Sequence, residues 1–380
     1  MAKLGEICAF QSGRTPSKNK PEYFGGEIPW ISTTALNGGK INEADAVAWI
    51  TPKAIRESAA KIVPANSIMV GTRVGIGKVA INTVEMSTSQ DVISLIGIDK
   101  DKWYKPYLCK LLLSKKDYFN SQARGATIKG IKIDVVANID VPEIDYATQR
   151  KVAATLNKID TLIVLRKQQL AKLDELVKAR FVEMFGDINV NNKKWMTYPL
   201  GELCTIVRGG SPRPIERYLG GTIPWIKIGD ATTGENIYLN STKEYIIQEG
   251  VKKSRMIKAG SLIFANCGVS LGFARIITFD GCIHDGWLAM EDIDEKLDKI
   301  FLLYSLNQMT EYFRKTAPAG TQPNLNTNIM KMHRQIVPPM EMQKAFISFV
   351  KCADRQKQIV QQSLDKLELM KKALMQEYFG

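Results

Sequence analysis

The chain has 380 residues, a formal net charge of +13 and a 45% share of hydrophobic residues. This length exceeds what one hydrophobic core usually supports, so we expect two or more domains. No apolar run approaches the roughly 20 residues that span a bilayer, and the N-terminus lacks the apolar core of a secretory signal. A membrane partner is therefore excluded, and six scattered cysteines favour a cytoplasmic protein. The positive charge favours a polyanionic partner, with a basic surface that only aids solubility as the alternative.

One segment occurs twice along the chain. GGEIPWI at residues 25–31 returns as GGTIPWI at residues 220–226. The match extends towards the N-terminus, where LGEICAFQSGRTP at 4–16 aligns with LGELCTIVRGGSP at 200–212. Repeated segments usually mean repeated structural units. The sequence therefore predicts two related globular halves.

Each half is predicted to contain both strands and helices. Residues 67–81 align with 261–276, and both read as an apolar strand, a loop of small residues and a second strand. Helices are predicted near residues 103–119 and 295–315. Within the first of the aligned stretches, GIGKVA at 75–80 has the G-x-G-x-x-G/A form of a dinucleotide-binding loop. Because the second half lacks this pattern, we favour a tight turn between strands and expect no cofactor.

The next part of the alignment contains a histidine. STSQDVISL at 87–95 is matched to GCIHDGWLAM at 281–290 on their aspartates, which places His284 opposite Gln90. Both side chains can reach base edges or phosphates. A catalytic His284 would be missing from the other half, so a polar role is favoured over an acid–base role. His333, the other histidine, has no second ligand at zinc spacing, and we expect no metal site.

Two segments have the composition of long helices. Residues 148–185 and 341–379 contain no Gly or Pro and are rich in Lys, Gln, Leu and Ala. Each contains an apolar seam with three- and four-residue spacing, and the two seams are related by an offset of 194 residues. The seam positions are Val152, Leu156, Ile159, Ile163, Leu170, Leu173, Val177 and Met184 in the first segment and Phe346, Val350, Ala353, Val360, Leu364, Leu367, Leu374 and Tyr378 in the second.

Charged residues interrupt the two seams at different heptads. Arg166 and Arg180 break the first seam, whereas Lys357 and Lys371 break the second. Non-identical seams fit pairing with each other inside one chain at least as well as self-association. An antiparallel pair would form a strut of roughly 57 Å, and two ordinary surface helices are the alternative.

With these features the chain resembles the specificity (S) subunit of type I restriction-modification systems. The resemblance covers nearly the whole chain and depends on the order and duplication of its motifs. These are the two IPWI segments with their Gly-Gly turns, GTRVGIG at 71–77, GTQPNLN at 320–326, and the Val-Pro pairs followed by Gln149 and Gln343.

The resemblance implies an α+β fold with a pseudo-twofold internal repeat. Two similar mixed α/β target-recognition domains are separated by a pair of long helices forming an antiparallel coiled coil. The first domain is expected at residues 1–146 and the second at 187–340. The first long helix is expected at 147–186 and the second at 341–380.

The resemblance also implies a function and partners. Each domain would read one part of a split site in double-stranded DNA, and the helices would fix the spacer and dock two modification (methyltransferase) subunits. These bind S-adenosylmethionine and methylate adenine, and restriction subunits join through the complex. The specificity subunit itself would have no catalytic residue and no cofactor. A methyltransferase scaffold without base reading, or a stand-alone nucleic-acid enzyme, are the alternatives.

The candidate DNA-binding residues are polar or basic side chains in loops that flank the matched segments. Asn and Gln can bond adenine, and Arg or Lys can bond guanine. We expect Trp30 and Trp225 to anchor strands in the core instead. The candidates are Arg14, Lys18, Lys20, Thr33, Thr34, Arg73, Gln90 and Lys129 in the first half and Arg208, Arg213, Lys227, Asn266, His284, Gln322, Asn324 and Asn326 in the second.

Overall fold

The computed structural model describes residues 1–125, 127–231, 237–268, 270–317 and 324–380. They form two compact units: unit 1 is Met1–Arg166 with Gln362–Gly380, and unit 2 is Lys167–Gln361. None of the described helices is both long enough and apolar enough to cross a membrane.

Unit 1 combines short strands with short helices and one long helix. Its strands are β1 (Ala2–Lys3), β2 (Ala9–Ser12), β3 (Phe24–Ile31), β4 (Lys40–Ile41), β5 (Ala48–Ile50), β6 (Ile62–Val63), β7 (Ile68–Gly71), β8 (Val79–Asn82), β9 (Met86–Thr88), β10 (Val92–Ile96) and β11 (Asp140–Val141). The helices that begin in it are α1 (Leu4–Ile7), α2 (Pro52–Glu57), α3 (Lys105–Ser114), α4 (Lys116–Gln122), α5 (Ile133–Ala137) and α6 (Tyr146–Phe185). Helix α6 continues into unit 2.

Unit 2 has a matching series of elements. Its strands are β12 (Thr197–Pro199), β13 (Thr205–Arg208), β14 (Leu219–Ile226), β15 (Tyr238–Leu239), β16 (Glu244–Ile246), β17 (Arg255–Ile257), β18 (Leu262–Ala265), β19 (Ala274–Ile277), β20 (Gly281–Ile283), β21 (Trp287–Glu291) and β22 (Arg334–Ile336). The helices that begin in it are α7 (Leu200–Leu203), α8 (Gln248–Val251), α9 (Lys299–Gln308), α10 (Thr310–Thr316), α11 (Thr327–Met332) and α12 (Met340–Phe379). The predicted helices and the predicted internal repeat are confirmed.

The two units share one sheet topology. The order β2-β10-β7-β8-β4 in unit 1 is repeated as β13-β21-β18-β19-β15 in unit 2. The order β5-β3-β9-β6 returns as β16-β14-β20-β17, and the pair β1-β11 returns as β12-β22. Both larger sheets mix parallel with antiparallel pairs. The two units therefore have the same topology and differ in their loops.

The Gly-Gly turn explains why this part of the repeat is so similar. Gly25 and Gly220 have φ angles of 79° and 84°, which favour glycine. A Cβ on Gly26 would overlap the carbonyl oxygen of Ile50, and Gly221 makes the same close approach to β16. The pairing register shifts at this point in both units, as in a β-bulge. The glycines thus allow β3 to approach β5 closely, and β14 to approach β16, at the bulge.

Gln149 and Gln343 tie the start of each long helix to the globular part of its own unit. The Gln149 Oε1 accepts from the Tyr104 amide at 2.8 Å, and its Nε2 donates to the carbonyls of Lys102 and Ile144 at 3.0 and 2.9 Å. Gln343 makes the same three kinds of bond in unit 2 at 2.8 to 2.9 Å. Both side chains are buried. Since all six partners are backbone atoms, neighbouring side chains can vary without losing the tether.

In unit 1 the end of α12 lies antiparallel to the start of α6. Asp160 pairs with Lys371 at 2.6 Å, and Arg166 Nε donates to Ser363 Oγ at 3.2 Å, so residue numbers rise along one helix as they fall along the other. Asp160 also accepts from Lys110 of α3 at 2.6 Å. Burial opposes ionisation of Asp160, but the two ammonium groups outweigh it and lower its pKa. The positive charge of Lys371, which breaks the second seam, is therefore compensated by Asp160.

In unit 2 the same two helices pair in the same sense. The ring centroids of Phe181 and Phe346 are 5.3 Å apart, and Lys357 forms an ion pair with Asp174. All the predicted seam residues of both units are buried or half-buried. The antiparallel coiled-coil packing predicted from the seams is confirmed within each unit.

Candidate nucleic-acid interface

The topology of unit 1 gathers several loops at one edge. Strand β10 is antiparallel to β2 and β7, β7 is antiparallel to β8, and β3 is parallel to β9. The loops at residues 13–20, 32–39, 72–78 and 89–91 therefore leave the sheets at the same side. The segment 124–131, of which residues 124–125 and 127–131 are described, joins them, because the Ile131 amide donates to the Thr72 carbonyl at 2.8 Å. We call these five segments the loop edge of unit 1.

The same argument defines a loop edge of unit 2. Its described parts are residues 209–218, 227–231, 266–268 with 270–273, 284–286 and 324–326. The last segment is held as in unit 1, since the Leu325 amide donates to the Asn266 carbonyl at 2.8 Å. Loops carried by a rigid sheet are common sites of binding. Each unit thus has one edge at which polar loop residues converge.

Most of the first-half candidates are exposed at the loop edge of unit 1. The exposed candidates are Arg14, Lys18, Lys20, Thr34, Arg73, Gln90 and Lys129. Lys20 Nζ bonds the Tyr23 hydroxyl at 2.9 Å, and Arg73 lies 3.9 Å from the Asp91 carboxylate. Thr33 is only 4% exposed and sits against the Gly71 backbone. Thr33 therefore lies beneath the exposed residues of the β3–β4 loop, and its role in DNA binding stays a prediction.

The second-half candidates are more varied in exposure. Arg208 and Arg213 are exposed, whereas Lys227 is half-buried and forms an ion pair with Glu244. Asn266 is fully buried and donates to Asn324 Oδ1 at 3.3 Å, so the structure places it behind Asn324, and its role in DNA binding stays a prediction. Asn326 caps α11 by accepting from the Ile329 amide at 3.0 Å, whereas Gln322 lies outside the described residues.

Strand register corrects the alignment around His284. The Ser89 amide donates to the last residue of β3 at 2.9 Å, and the His284 amide donates to the last residue of β14 at 3.0 Å. His284 is therefore the counterpart of Ser89, and Asp285 is the counterpart of Gln90. The alignment on Asp91 was wrong by one residue. Matching the two aspartates by identity could not detect this, because the register is set by hydrogen bonds to a distant strand.

The corrected register reveals an equivalent side-chain bond in both units. Thr15 Oγ1 donates to Gln90 Oε1 at 2.5 Å, and Ser211 Oγ donates to Asp285 Oδ1 at 2.8 Å. Both hydroxyls follow the repeated Gly and precede the repeated Pro, which was a usable signal in the sequence. Asp285 was not among the candidates, yet it bonds Ser211 and contacts both Arg208 and Arg213 at the loop edge of unit 2.

His284 is neutral at neutral pH in this environment. Burial lowers its pKa, and the nearby Asp285 carboxylate offsets this only in part. Its Nδ1 accepts from the Gly286 amide at 2.9 Å, which leaves the proton of the neutral ring on Nε2. Asp285 Oδ1, 3.0 Å from Nδ1, becomes a partner only when the ring is protonated. His284 therefore offers an N–H donor.

Other residues noted in the sequence have structural places. His333 is packed against Phe313, and burial lowers its pKa to about 4. Trp225 is buried, and Trp30 is half-buried with its Nε1 donating to the Arg14 carbonyl at 3.2 Å. The segment 75–80 forms a turn from β7 into β8, which agrees with the favoured interpretation of GIGKVA.

Comparison with known proteins identifies the family. A family model described as the type I restriction modification DNA specificity domain matches residues 1–175 and 192–369. The specificity subunit of type I restriction enzyme MjaIX from Methanocaldococcus jannaschii is 27% identical, over 94% of this chain and 88% of its own. That of MjaVIII from the same organism is 23% identical, over 99% and 90%. The EcoR124I/EcoR124II specificity subunit of Escherichia coli is 30% identical over 49% of this chain and 46% of its own.

Solved structures share the fold. A chain from a structural study of complex assembly in a type I restriction-modification system matches with a TM-score of 0.67 at 18% identity, over 100% of this chain and 96% of that chain. The S subunit from M. genitalium matches with a TM-score of 0.53 at 15% identity, over 100% and 95%. Together with the family model, which covers both halves, these matches show that the chain belongs to the type I restriction-modification DNA specificity family, as a non-catalytic specificity subunit for DNA target recognition.

Proposed function

We propose that the two halves read separate parts of a split site in double-stranded DNA, each through its loop edge. In this proposal residues 1–146 and 187–340 are the two target-recognition domains, and residues 147–186 and 341–380 are the helices that set the spacer. The observation that carries the proposal is that one topology presents different side chains at equivalent positions. Ser89 corresponds to His284, and Gln90 to Asp285. Divergent loops on a shared scaffold suit two readers of different half-sites.

The proposed DNA contacts follow from the exposure and charge of the described residues, and Gln322, which lies outside them, is proposed from the sequence. Exposed Arg and Lys side chains suit phosphates and guanine, whereas Asn, Gln and the His284 N–H suit base edges. Thr33 and Asn266 are proposed to support neighbouring loop residues. The proposed contacts are Arg14, Lys18, Lys20, Thr34, Arg73, Gln90 and Lys129 in the first half and Arg208, Arg213, Lys227, His284, Gln322, Asn324 and Asn326 in the second.

Methylation mapping tests the proposed function. The chain is co-expressed with the modification subunit encoded beside it, and methylated adenines are mapped across the host DNA. We expect one split motif with two specified parts around a constant gap. Methylation without a shared motif would instead support a scaffold that does not read bases. A control with the modification subunit alone shows whether the pattern depends on this chain.

Exposed apolar residues on the long helices are the proposed docking sites for two modification subunits. In unit 1, Leu162 and Leu165 lie one turn apart on α6 and are 41% and 51% exposed. Met370 lies two turns from Ser363 on α12, and Ser363 accepts from Arg166, the residue that follows Leu165 on α6. These three residues form the apolar strip of unit 1. The opposite side of α6 meets the globular part through Asp160 and Lys110.

A corresponding strip occurs in unit 2. Leu176 on α6 and Ile359 on α12 are 51% and 55% exposed. The offset of 194 residues relates Leu165 to Ile359 and Leu176 to Met370. Unit 1 therefore contains Leu165 and Met370, and unit 2 contains their equivalents Ile359 and Leu176. Two similar apolar strips support one docking site per modification subunit, because a cluster of apolar anchors can supply most of an interface's binding energy.

Charge placed on the apolar strips is expected to prevent docking. The double variant Leu165→Asp with Leu176→Asp puts one carboxylate into each strip, and we expect each site to bind at least about tenfold more weakly. The measurement is the modification subunit retained by the tagged chain, together with methylation. Val164→Asp with Val182→Asp is the matched control, since these valines are also exposed but face other directions on α6. Equal retention by both double variants would contradict the docking proposal.

A further inference from the structure

A carboxylate lies at the centre of a surface proposed to meet a polyanion. Asp285 is in the β20–β21 turn of unit 2, and its side chain is 32% exposed. Phosphates repel a carboxylate. Without a specific function, this side chain would therefore only weaken DNA binding. In unit 1 the equivalent residue is the neutral Gln90. The carboxylate of unit 1, Asp91, lies one residue further on, so only in unit 2 does the loop hydroxyl bond a charged group.

Three proposed DNA contacts lie next to Asp285. Its backbone carbonyl accepts from Arg208 Nε at 2.9 Å, and its Oδ2 lies 3.8 Å from Arg213 Nη2. Its Oδ1 lies 3.0 Å from His284 Nδ1. The carboxylate is itself held by Ser211, whose hydroxyl donates at 2.8 Å. Asp285 thus joins the loop of Ser211 to Arg208 and Arg213, and the neutral His284 ring lies beside it.

The two arginine contacts differ in strength. The Arg208 bond is short and uses the backbone, so it does not depend on the carboxylate. The Arg213 contact is long, and Arg213 is 81% exposed at its side chain, so this pair is weak and exchangeable. A phosphate can therefore compete with Asp285 for Arg213. The competition makes binding by Arg213 dependent on how well the rest of the DNA fits.

We propose that Asp285 is a specificity-determining positioning residue of unit 2, which restrains Arg213 and repels phosphates of DNA that does not fit the loop edge. The inference rests on the proposed function, since it assumes that this edge meets DNA. Specificity can arise from repulsion of wrong partners as well as from attraction of the right one. Unit 1 has Gln90 at this position, and its own carboxylate, Asp91, lies one residue further on beside a different arginine, Arg73.

The test compares Asp285→Asn with the wild-type chain in complex with its modification subunits. Binding is measured across a salt series to a duplex containing the methylated motif and to a scrambled duplex. We expect Asp285→Asn to bind the scrambled duplex several-fold more tightly and to have a salt slope steeper by about one. The preference for the motif is expected to fall by about tenfold. In methylation mapping, only the half-site read by unit 2 should relax.

Matched variants separate charge from structure. Asp285→Glu should restore the preference, whereas Gln90→Glu should weaken scrambled-duplex binding through unit 1. Arg213→Gln combined with Asp285→Asn should remove the gain seen in the single variant, because the released arginine is absent. Since Asn keeps the acceptor for Ser211, unfolding is not expected, and Asp285→Gln provides a second neutral variant with the unit 1 side chain.

The outcomes distinguish the two proposals. If the wild-type complex binds both duplexes equally, the proposed function fails, yet the scrambled-duplex affinity and salt slope still report on Asp285. If Asp285→Asn and Asp285→Gln leave both quantities at wild-type values, the inference about Asp285 is overturned. The same conclusion follows if both half-sites relax together.

Discussion

Exchange of residues 1–142 for the matching half of another family member is expected to change one half of the recognised site completely and leave the other half unaltered. The segment contains every loop of the unit 1 edge. It also contains both strands of the β1–β11 pair, in which Ala2 lies opposite Val141. The junction after residue 142 therefore leaves this two-stranded sheet intact. The tether from Gln149 survives the exchange because its partners are backbone atoms. Mapping methylated adenines for the chimera and the parent measures the result.

The reciprocal exchange is the control. Replacing residues 187–338 should change the other half of the site, since it exchanges the loop edge of unit 2 and ends after β22. The spacer should stay constant in both chimeras, because each retains the long helices. A chimera in which both half-sites change, or in which neither does, would contradict independent reading by the two halves.

Asp160→Ala is expected to destabilise unit 1 by about 3–5 kcal/mol. Lys110 is only 6% exposed, and its ammonium group bonds Asp160 at 2.6 Å. Without that carboxylate, a buried positive charge loses its ion-pair partner, and Lys371 loses its partner as well. Breaking a buried pair from one side costs more than an exposed pair, because the remaining charge is not rehydrated. Hydrogen exchange of the α3 amides measures the change in unit 1 by itself.

Two variants control for this effect. Asp174→Ala removes the partner of Lys357, which is more exposed than Lys110, and should cost clearly less. Lys110→Met combined with Asp160→Leu removes both charges of the buried pair and should recover much of the stability, since well-packed apolar residues can replace such a pair. A loss below about 1 kcal/mol for Asp160→Ala would show that water reaches Lys110.

The sequence by itself determined the architecture of this protein. The duplicated Gly-Gly-x-Ile-Pro-Trp-Ile segment predicted the repeat, and the spacing of apolar residues predicted α6, α12 and the seam along which they pair within each unit. These features are local or periodic: a φ angle that favours glycine, a helical period, a run without Gly or Pro. Such patterns can be recognised without knowing which distant residue lies alongside.

Only the tertiary structure decided which side chains converge at each loop edge. It made His284 the counterpart of Ser89 and buried Thr33 and Asn266. It also brought Asp285 next to Arg208, Arg213 and His284. These outcomes depend on hydrogen bonds between strands that are far apart in the chain. A shift of one residue in such a pairing turns every side chain to the opposite face. Polar loop residues lack a period that would reveal this register, so their roles follow from the fold alone.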